Sequence, residues 1–241
     1  MAAATGLWVF GYGSLCWNPG FEFKRSMTGH VKGFGRRFWQ GNDSHRGTSA
    51  KPGRVATLID DKKEITYGRA FEVTGSAALP YLEKRECTLG GYLTTISTFH
   101  SRDGSHSFPV VIYIATNKNK HWLGDAPIHA IAQQILESEG PSGHNVEYLL
   151  RLADFIHQFI PEAHDEHLFT LELIVRAKVK ELNLCLKTLM GNREFHIQIE
   201  IDRDSDSSDN DVQDLQDDVP RRHSYHYTSR IAGKTLRCVK P

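Results

Sequence analysis

Apolar positions change their spacing near the middle of this chain. Up to about residue 116 they come in short runs or alternate with polar ones; from residue 127 they recur every three or four positions. The first half therefore predicts strands and the second half helices. Residues 7–12, Leu-Trp-Val-Phe-Gly-Tyr, predict a first strand. Residues 30–40 carry Val31, Phe34, Phe38 and Trp39 among basic residues and predict a second, with a basic edge. Residues 55–59 predict a third, and Asp60-Asp61-Lys62-Lys63 a hairpin connection into a return strand at 65–73. Ser76 is placed to cap a helix running through Leu79, Leu82 and Lys84 to Cys87, ended by Gly90-Gly91. Residues 92–99 and 108–116 predict a hairpin about 101–104. Helices are predicted at 127–138, 145–159 and 165–189.

Strands followed by helices point to an α+β fold, with helices packed on one side of a curved sheet or small barrel. A chain of 241 residues holds one good-sized core with room for an appendage. The appendage is visible as charge. Residues 200–218 contain nine acids and one base, Arg203, and residues 221–241 contain six Arg or Lys and no acid. Neither stretch can bury a core, so the expected division is a folded domain at 1–190 and a disordered tail at 191–241. Ser205, Ser207 and Ser208, set among the acids, are candidate phosphorylation sites.

The formal net charge is zero, which removes the global field that draws nucleic acid or a membrane surface. The four cysteines, at 16, 87, 185 and 238, form no C-x-x-C pair, which argues against a disulfide framework or a zinc site. No run approaches the roughly 18 apolar residues of a membrane span. A protein of the reduced cytosol is expected.

The chemistry starts where the first strand ends. Gly11-Tyr12-Gly13-Ser14-Leu15-Cys16 places two glycines within three residues. Such a turn can gather its N–H groups about one point, forming a nest for a carboxylate or other anion. It is no dinucleotide fingerprint: Cys16 stands where a third glycine is needed. A bulge with no ligand is the alternative. Glu86 breaks a local rule, since a carboxylate in the last turn of the predicted helix faces the negative end of the dipole. Dipole and burial would raise its pKa toward a range useful for proton transfer, whereas pairing with Lys84 or Arg85 would make it an ordinary surface acid.

Other clusters carry less. Asp202, Asp204 and Asp206 imitate a calcium loop, but Ser207 and Gln213 stand where Gly and Glu are required. His164-Asp165-Glu166-His167 lacks a third metal ligand, and its acids suit a helix N-terminus. Arg36-Arg37-Phe38-Trp39 is a single basic-aromatic pair whose arginines are expected to meet carboxylates or a substrate rim.

Taken in order, the segments resemble one family. They are Tyr12-Gly13-Ser14-Leu15, Arg36-Arg37-Phe38-Trp39-Gln40-Gly41, His45-Arg46-Gly47, Pro52-Gly53-Arg54-Val55, Arg85-Glu86 and Gly90-Gly91-Tyr92, then Leu123-Gly124-Asp125-Ala126-Pro127, Gly140-Pro141-Ser142-Gly143-His144-Asn145, Glu147-Tyr148-Leu149 and Asp165-Glu166-His167-Leu168. The combination is similar to the glutathione-specific γ-glutamylcyclotransferases, the ChaC-like family, over residues 7–180. The resemblance implies a small mixed β-barrel with packed helices. It implies a cytosolic enzyme that splits glutathione into 5-oxoproline and cysteinylglycine without metal or organic cofactor. It implies that Gly11, Tyr12, Gly13, Ser14, Leu15 and Cys16 hold the γ-glutamyl group, that Glu86 accepts the proton, and that Tyr148 contacts substrate. Two positions depart from the family pattern. Cys16 replaces a commoner aliphatic residue, and Tyr67-Gly68-Arg69-Ala70-Phe71 replaces Trp-Gly-Val-Ala-Tyr; neither is expected to touch the chemistry. Cyclisation of other γ-glutamyl amines, or a partner-binding role through the fold or tail, are the competing readings.

Overall fold

The computed structural model describes residues 6–73, 92–197 and 199, together with the backbone of 225–227. The predicted helix at 76–87 lies outside these residues, and with it Glu86 and Glu83, the alternative base three residues earlier on nearly the same predicted helix face.

Five strands close into a barrel in the order β1-β3-β2-β4-β5: β1 (Leu7–Gly11), β2 (Phe23–Asn42), β3 (Gly53–Val73), β4 (Tyr92–Ser101) and β5 (Ser107–Ala115). Every pairing is antiparallel except the one that closes the ring, where β1 runs parallel to β5 at Val9 and Val111. Trp8, Phe10, Met27, Val31, Leu58, Ala70, Phe99 and Ile112 form one buried apolar cluster of the barrel. The segment after β1 folds back so that Leu15, Phe21 and Phe23 pack with Val9, Phe71 and Tyr113.

β3 is one strand, not two strands and a turn. The charged stretch predicted as a hairpin is a bulge: the register slips between the pairs Lys32–Ile65 and Phe34–Asp60, next to Gly33 at φ +87°. Asp60, Asp61, Lys62 and Lys63 are exposed there, so solvent accepts polar residues that composition alone assigns to a turn. β2 and β3 together make a long ribbon that begins in the barrel and continues beyond it, ending in the loop at 43–52.

The helices pack against the outer part of this ribbon. Helix α1 (Ile128–Glu137) buries Ile131, Ala132, Ile135 and Leu136. Helix α2 (Asn145–Phe159) matches its predicted span; the His144 side chain accepts from the Val146 amide at its start, and Pro161 follows its end. The third predicted helix is divided. Helix α3 (Glu166–Glu181) is capped by Asp165, which accepts from the Leu168 amide at 3.0 Å, and stops before Asn183 at φ +52°. A short helix α4 (Leu186–Met190) follows.

The chain stays on the fold past residue 190. Ile197 is fully buried in the helical core, and the Arg151 guanidinium lies 4.6 Å from the Phe195 ring centroid. Strand β8 (Phe195–Ile197) pairs antiparallel with β9 (Tyr225–Tyr227); the two-residue strands β6 (Glu139–Gly140) and β7 (Gly143–His144) form the hairpin before α2. No described helix is long and apolar enough to cross a membrane.

Candidate active site

The glycine turn is built where β1 leaves the barrel. After Gly11 the chain forms a single 3-10 turn over Ser14–Cys16. Its backbone bonds run from Cys16 N to Gly13 O (3.0 Å), Trp17 N to Ser14 O (3.2 Å) and Asn18 N to Ser14 O (2.8 Å). Their donors lie just after residues 13–15, whose amides are the ones a nest would use. Both glycines are needed for space. A Cβ on Gly11 would come within 2.6 Å of the Leu15 Cβ, and one on Gly13 within 2.6 Å of the Tyr148 hydroxyl. Gly68 does the same from the neighbouring strand, where a side chain would strike the Gly11 carbonyl.

The side chains of the turn are anchors. Leu15 is buried among Val9, Phe71 and Tyr113, and the Tyr12 hydroxyl donates to the Tyr113 carbonyl at 2.6 Å. Cys16 is fully buried, and its thiol donates to the Gly11 carbonyl at 3.3 Å. Burial pushes the thiol pKa up to about 11, against the opposing pull of the Arg36 and Arg69 charges. Leu15 and Cys16 can therefore meet a ligand only through their backbone.

The two departures from the family pattern meet at this turn. Arg69 Nη1 donates to the Cys16 carbonyl at 3.2 Å, while its Nε and Nη2 both donate to the Ser26 hydroxyl. The guanidinium lies 4.7 Å from the Phe71 centroid. Burial lowers its pKa to about 10, so it stays charged at neutral pH.

Tyr148 is brought to the turn by α2. The residue is buried, with Trp17 edge-on to its ring at 5.4 Å and Phe38 edge-on at 6.0 Å. Its hydroxyl accepts from the Ala56 amide at 3.2 Å. The next residue of β3, Thr57, donates through its hydroxyl to the Ala115 carbonyl at 2.9 Å, and Ala115 is the register partner of Tyr92. The glycine turn, the Tyr148 hydroxyl and the start of β4 thus share one rim of the barrel. Glu86 is six residues before Tyr92, within roughly 20 Å of chain reach.

The remaining clusters are structural. Arg36 pairs with Asp165 at 3.4 Å and Arg37 with Glu64, the carboxylate pairing expected of that basic stretch. His167 Nε2 accepts from the Phe38 amide at 3.1 Å, and burial, with the nearby Arg37 charge, lowers its pKa to about 4. Glu147 is buried between Arg46 at 2.5 Å and Arg151 at 2.7 Å. Among the described residues no cluster of three or more His, Cys, Asp or Glu could hold a metal. Sequence reading singled out neither Asn145, as more than part of a motif, nor Arg69 as a support of the turn. A buried polar side chain bonding a strand backbone leaves no periodic signal.

Comparison with known proteins converges on one group. The ChaC-like protein family matches residues 7–178. Glutathione-specific γ-glutamylcyclotransferase 1 of Danio rerio is 48% identical over 189 residues, covering 76% of this chain and 96% of that protein. The Homo sapiens protein of the same name is 51% identical over 166 residues, covering 67% and 75%. The crystal structure of a γ-glutamyl cyclotransferase specific to glutathione from yeast superimposes with a TM-score of 0.65 at 28% identity, over 72% of this chain and 96% of that one.

Proposed function

The chain belongs to the ChaC-like family, and on that premise we propose that it cleaves glutathione into 5-oxoproline and cysteinylglycine in the cytosol. The observation that carries the reading is the convergence of the glycine turn and the Tyr148 hydroxyl on one barrel rim, with the Gly13 position too close to that hydroxyl for any side chain.

The substrate contains its own nucleophile. The α-amino nitrogen of the γ-glutamyl group attacks the γ-carbonyl carbon and closes a five-membered ring, while the bond from that carbon to the cysteinyl nitrogen breaks. Folding the substrate supplies most of the advantage, since effective molarities on the order of 10⁵ M accompany well-oriented intramolecular attack. The α-ammonium must lose one proton before it attacks and a second as the lactam forms. Glu86 takes them in turn and passes each to the departing cysteinyl nitrogen, which leaves as an ammonium, so Glu86 acts as base and then as acid. Backbone N–H groups of residues 13–15 hold the substrate α-carboxylate, with Gly11, Tyr12, Leu15 and Cys16 shaping the turn. No co-reactant enters the balance, and no cysteine need act as nucleophile.

The deciding experiment is incubation of the purified chain with glutathione and mass detection of 5-oxoproline and cysteinylglycine in equal amounts. Their absence would overturn glutathione as a substrate, and equal turnover of γ-glutamyl-alanine would overturn specificity for it.

A further inference from the structure

We propose that Asn145 is a positioning residue for Tyr148, and that the two side chains act as a clamp on the edge of β3 opposite β2 that fixes where the Tyr148 hydroxyl stands beside the glycine turn. The inference rests on the assignment of Tyr148 as a substrate contact.

β3 has two edges. Along residues 53–73 one edge pairs with β2, and along 69–73 the other pairs with β1. β1 ends at Gly11, so beyond its partner Arg69 the second edge is released by the barrel. At Arg54 and Ala56 side chains of α2 take the place of a strand. Asn145 Oδ1 accepts from the Arg54 amide at 2.7 Å, and Asn145 Nδ2 donates to the Arg54 carbonyl at 2.9 Å. The Tyr148 hydroxyl accepts from the Ala56 amide at 3.2 Å. Residues 54 and 56 lie two apart, so their amides point to the same edge. Residues 145 and 148 lie three apart, so their side chains share one face of the helix. The helix period and the strand period match over this short distance.

Asn145 is fully buried, and its two bonds fix both the height and the rotation of the first turn of α2. Tyr148 is in that turn's reach. An amide N–H can only donate, so the Ala56 contact excludes the hydroxyl hydrogen from that direction. The hydroxyl oxygen stands beside the Gly13 position, where any side chain would meet it. With Tyr148 a substrate contact, a hydroxyl fixed at that place meets the oxygen of the γ-carbonyl when substrate binds, and that oxygen gains negative charge as the ring closes. Asn145 touches no substrate; it sets where that hydroxyl stands.

The test is a double-mutant cycle with a readout independent of turnover. Tyr148→Phe is expected to lower kcat by roughly 10², the scale of one lost oxyanion donor, with KM changed less than about threefold. Asn145→Ser is expected to lower kcat by about tenfold or more at nearly constant KM, and Asn145→Asp, which keeps the acceptor but not the donor, to fall between it and the parent. The Asn145→Ser/Tyr148→Phe double variant is expected to match Tyr148→Phe within about twofold, because residues acting through one group are not additive. Hydrogen exchange of the Ala56 amide, followed by NMR on the same proteins, should speed up by at least about tenfold in both single variants. Folded Asn145 variants with parental kcat and a protected Ala56 amide would overturn the inference, as would losses that multiply in the double variant. A parental chain that releases no 5-oxoproline would instead overturn the activity, and the Ala56 exchange would still decide the clamp.

Discussion

The two halves of the β2–β3 ribbon are held in different ways. In the barrel, backbone meets backbone: β3 is bonded to β1 over Leu7–Gly11 and to β2 throughout, and apolar side chains such as Val31, Leu58 and Phe99 pack with it. Beyond the barrel, side chains replace a strand. Asn145 and Tyr148 bond the β3 edge, His167 bonds the Phe38 amide, and Arg54 Nη1 donates to the carbonyls of Phe38 and Gly124, both at 3.0 Å. Backbone pairing is independent of sequence, whereas side-chain pairing is exact in residue type and open to titration and substitution. The candidate site lies at the border, where a strand edge changes custody. A place that needs particular side chains in particular positions is best built where side chains already hold the frame.

The largest expected effect tests whether the chemistry comes from the segment that leaves β3 at Val73 and returns to the barrel at Tyr92. Glu86→Gln should fold and lose about 10²-fold or more in activity, the scale of a lost general base. Glu83→Gln, its neighbour one helical turn earlier in the predicted helix, should stay within about threefold. Assaying 5-oxoproline release for both decides between them, and a fully active Glu86→Gln protein removes Glu86 from the mechanism.

The border contact itself comes next. Gly13→Ala forces a methyl group onto the Tyr148 hydroxyl and should lower kcat/KM by tenfold or more, roughly 1.4 kcal/mol of transition-state stabilisation. Adding Tyr148→Phe removes the clashing oxygen. The double variant should regain thermal stability without regaining activity, a separation that calorimetry and the product assay resolve.

The outer half should also depend on the segment past residue 190. Arg151 donates to the carbonyls of Met190 and Arg193, and Ile197 fills the helical core. Truncation after residue 190 should cost about 2 kcal/mol, the scale of one large buried apolar side chain. Truncation after residue 199 should cost less than about half of that. Chemical denaturation of the two truncated chains compares them directly, and equal stabilities would place the domain boundary at 190.

Acid should weaken the outer half through His167. The His167 pKa is lowered from 6.5 to about 4 in the folded protein. Above pH 6.5 the residue is neutral in both states and adds no pH dependence. As pH falls below 6.5 the unfolded chain binds a proton that the folded one refuses, so stability declines until about pH 4, by a total on the order of 3 kcal/mol. His167→Gln offers an acceptor that does not titrate and should flatten this decline. An unchanged pH profile would dissociate His167 from it.

The smallest effect belongs to the barrel side. Arg69→Val restores the family's usual residue and removes the donor to the Cys16 carbonyl. KM for glutathione should rise about threefold, less than 1 kcal/mol, with kcat nearly unchanged. A parental KM would make Arg69 a packing residue only.

These contrasts also explain what the sequence could say. Helix α2 was legible end to end because Val146, Leu149, Leu152, Ala153 and Ile156 repeat at helical spacing and are all buried. The β4–β5 hairpin was legible because its turn residues stand between β-branched runs. The continuity of β3 was not, since a bulge exposes its acids and lysines to water as a turn would. The break between α3 and α4 was hidden because Leu182 and Leu184 continue the apolar texture while Asn183 takes a left-handed conformation. The glycine turn was visible through Gly11 and Gly13, and its tyrosine partner only through resemblance. The service of Asn145 and His167 to strand backbone was invisible, because what each one bonds lies far away along the chain.

One consequence follows from the burial of Cys16 beneath a turn proposed to grip a thiol-bearing tripeptide. The Cys16 sulfur remains protonated well above neutral pH and is spent on the Gly11 carbonyl. Thiolate is the species that attacks a disulfide. Oxidised glutathione would therefore find no exchange partner at Cys16, and the turn would keep its shape whether the surrounding thiol pool is reduced or oxidised.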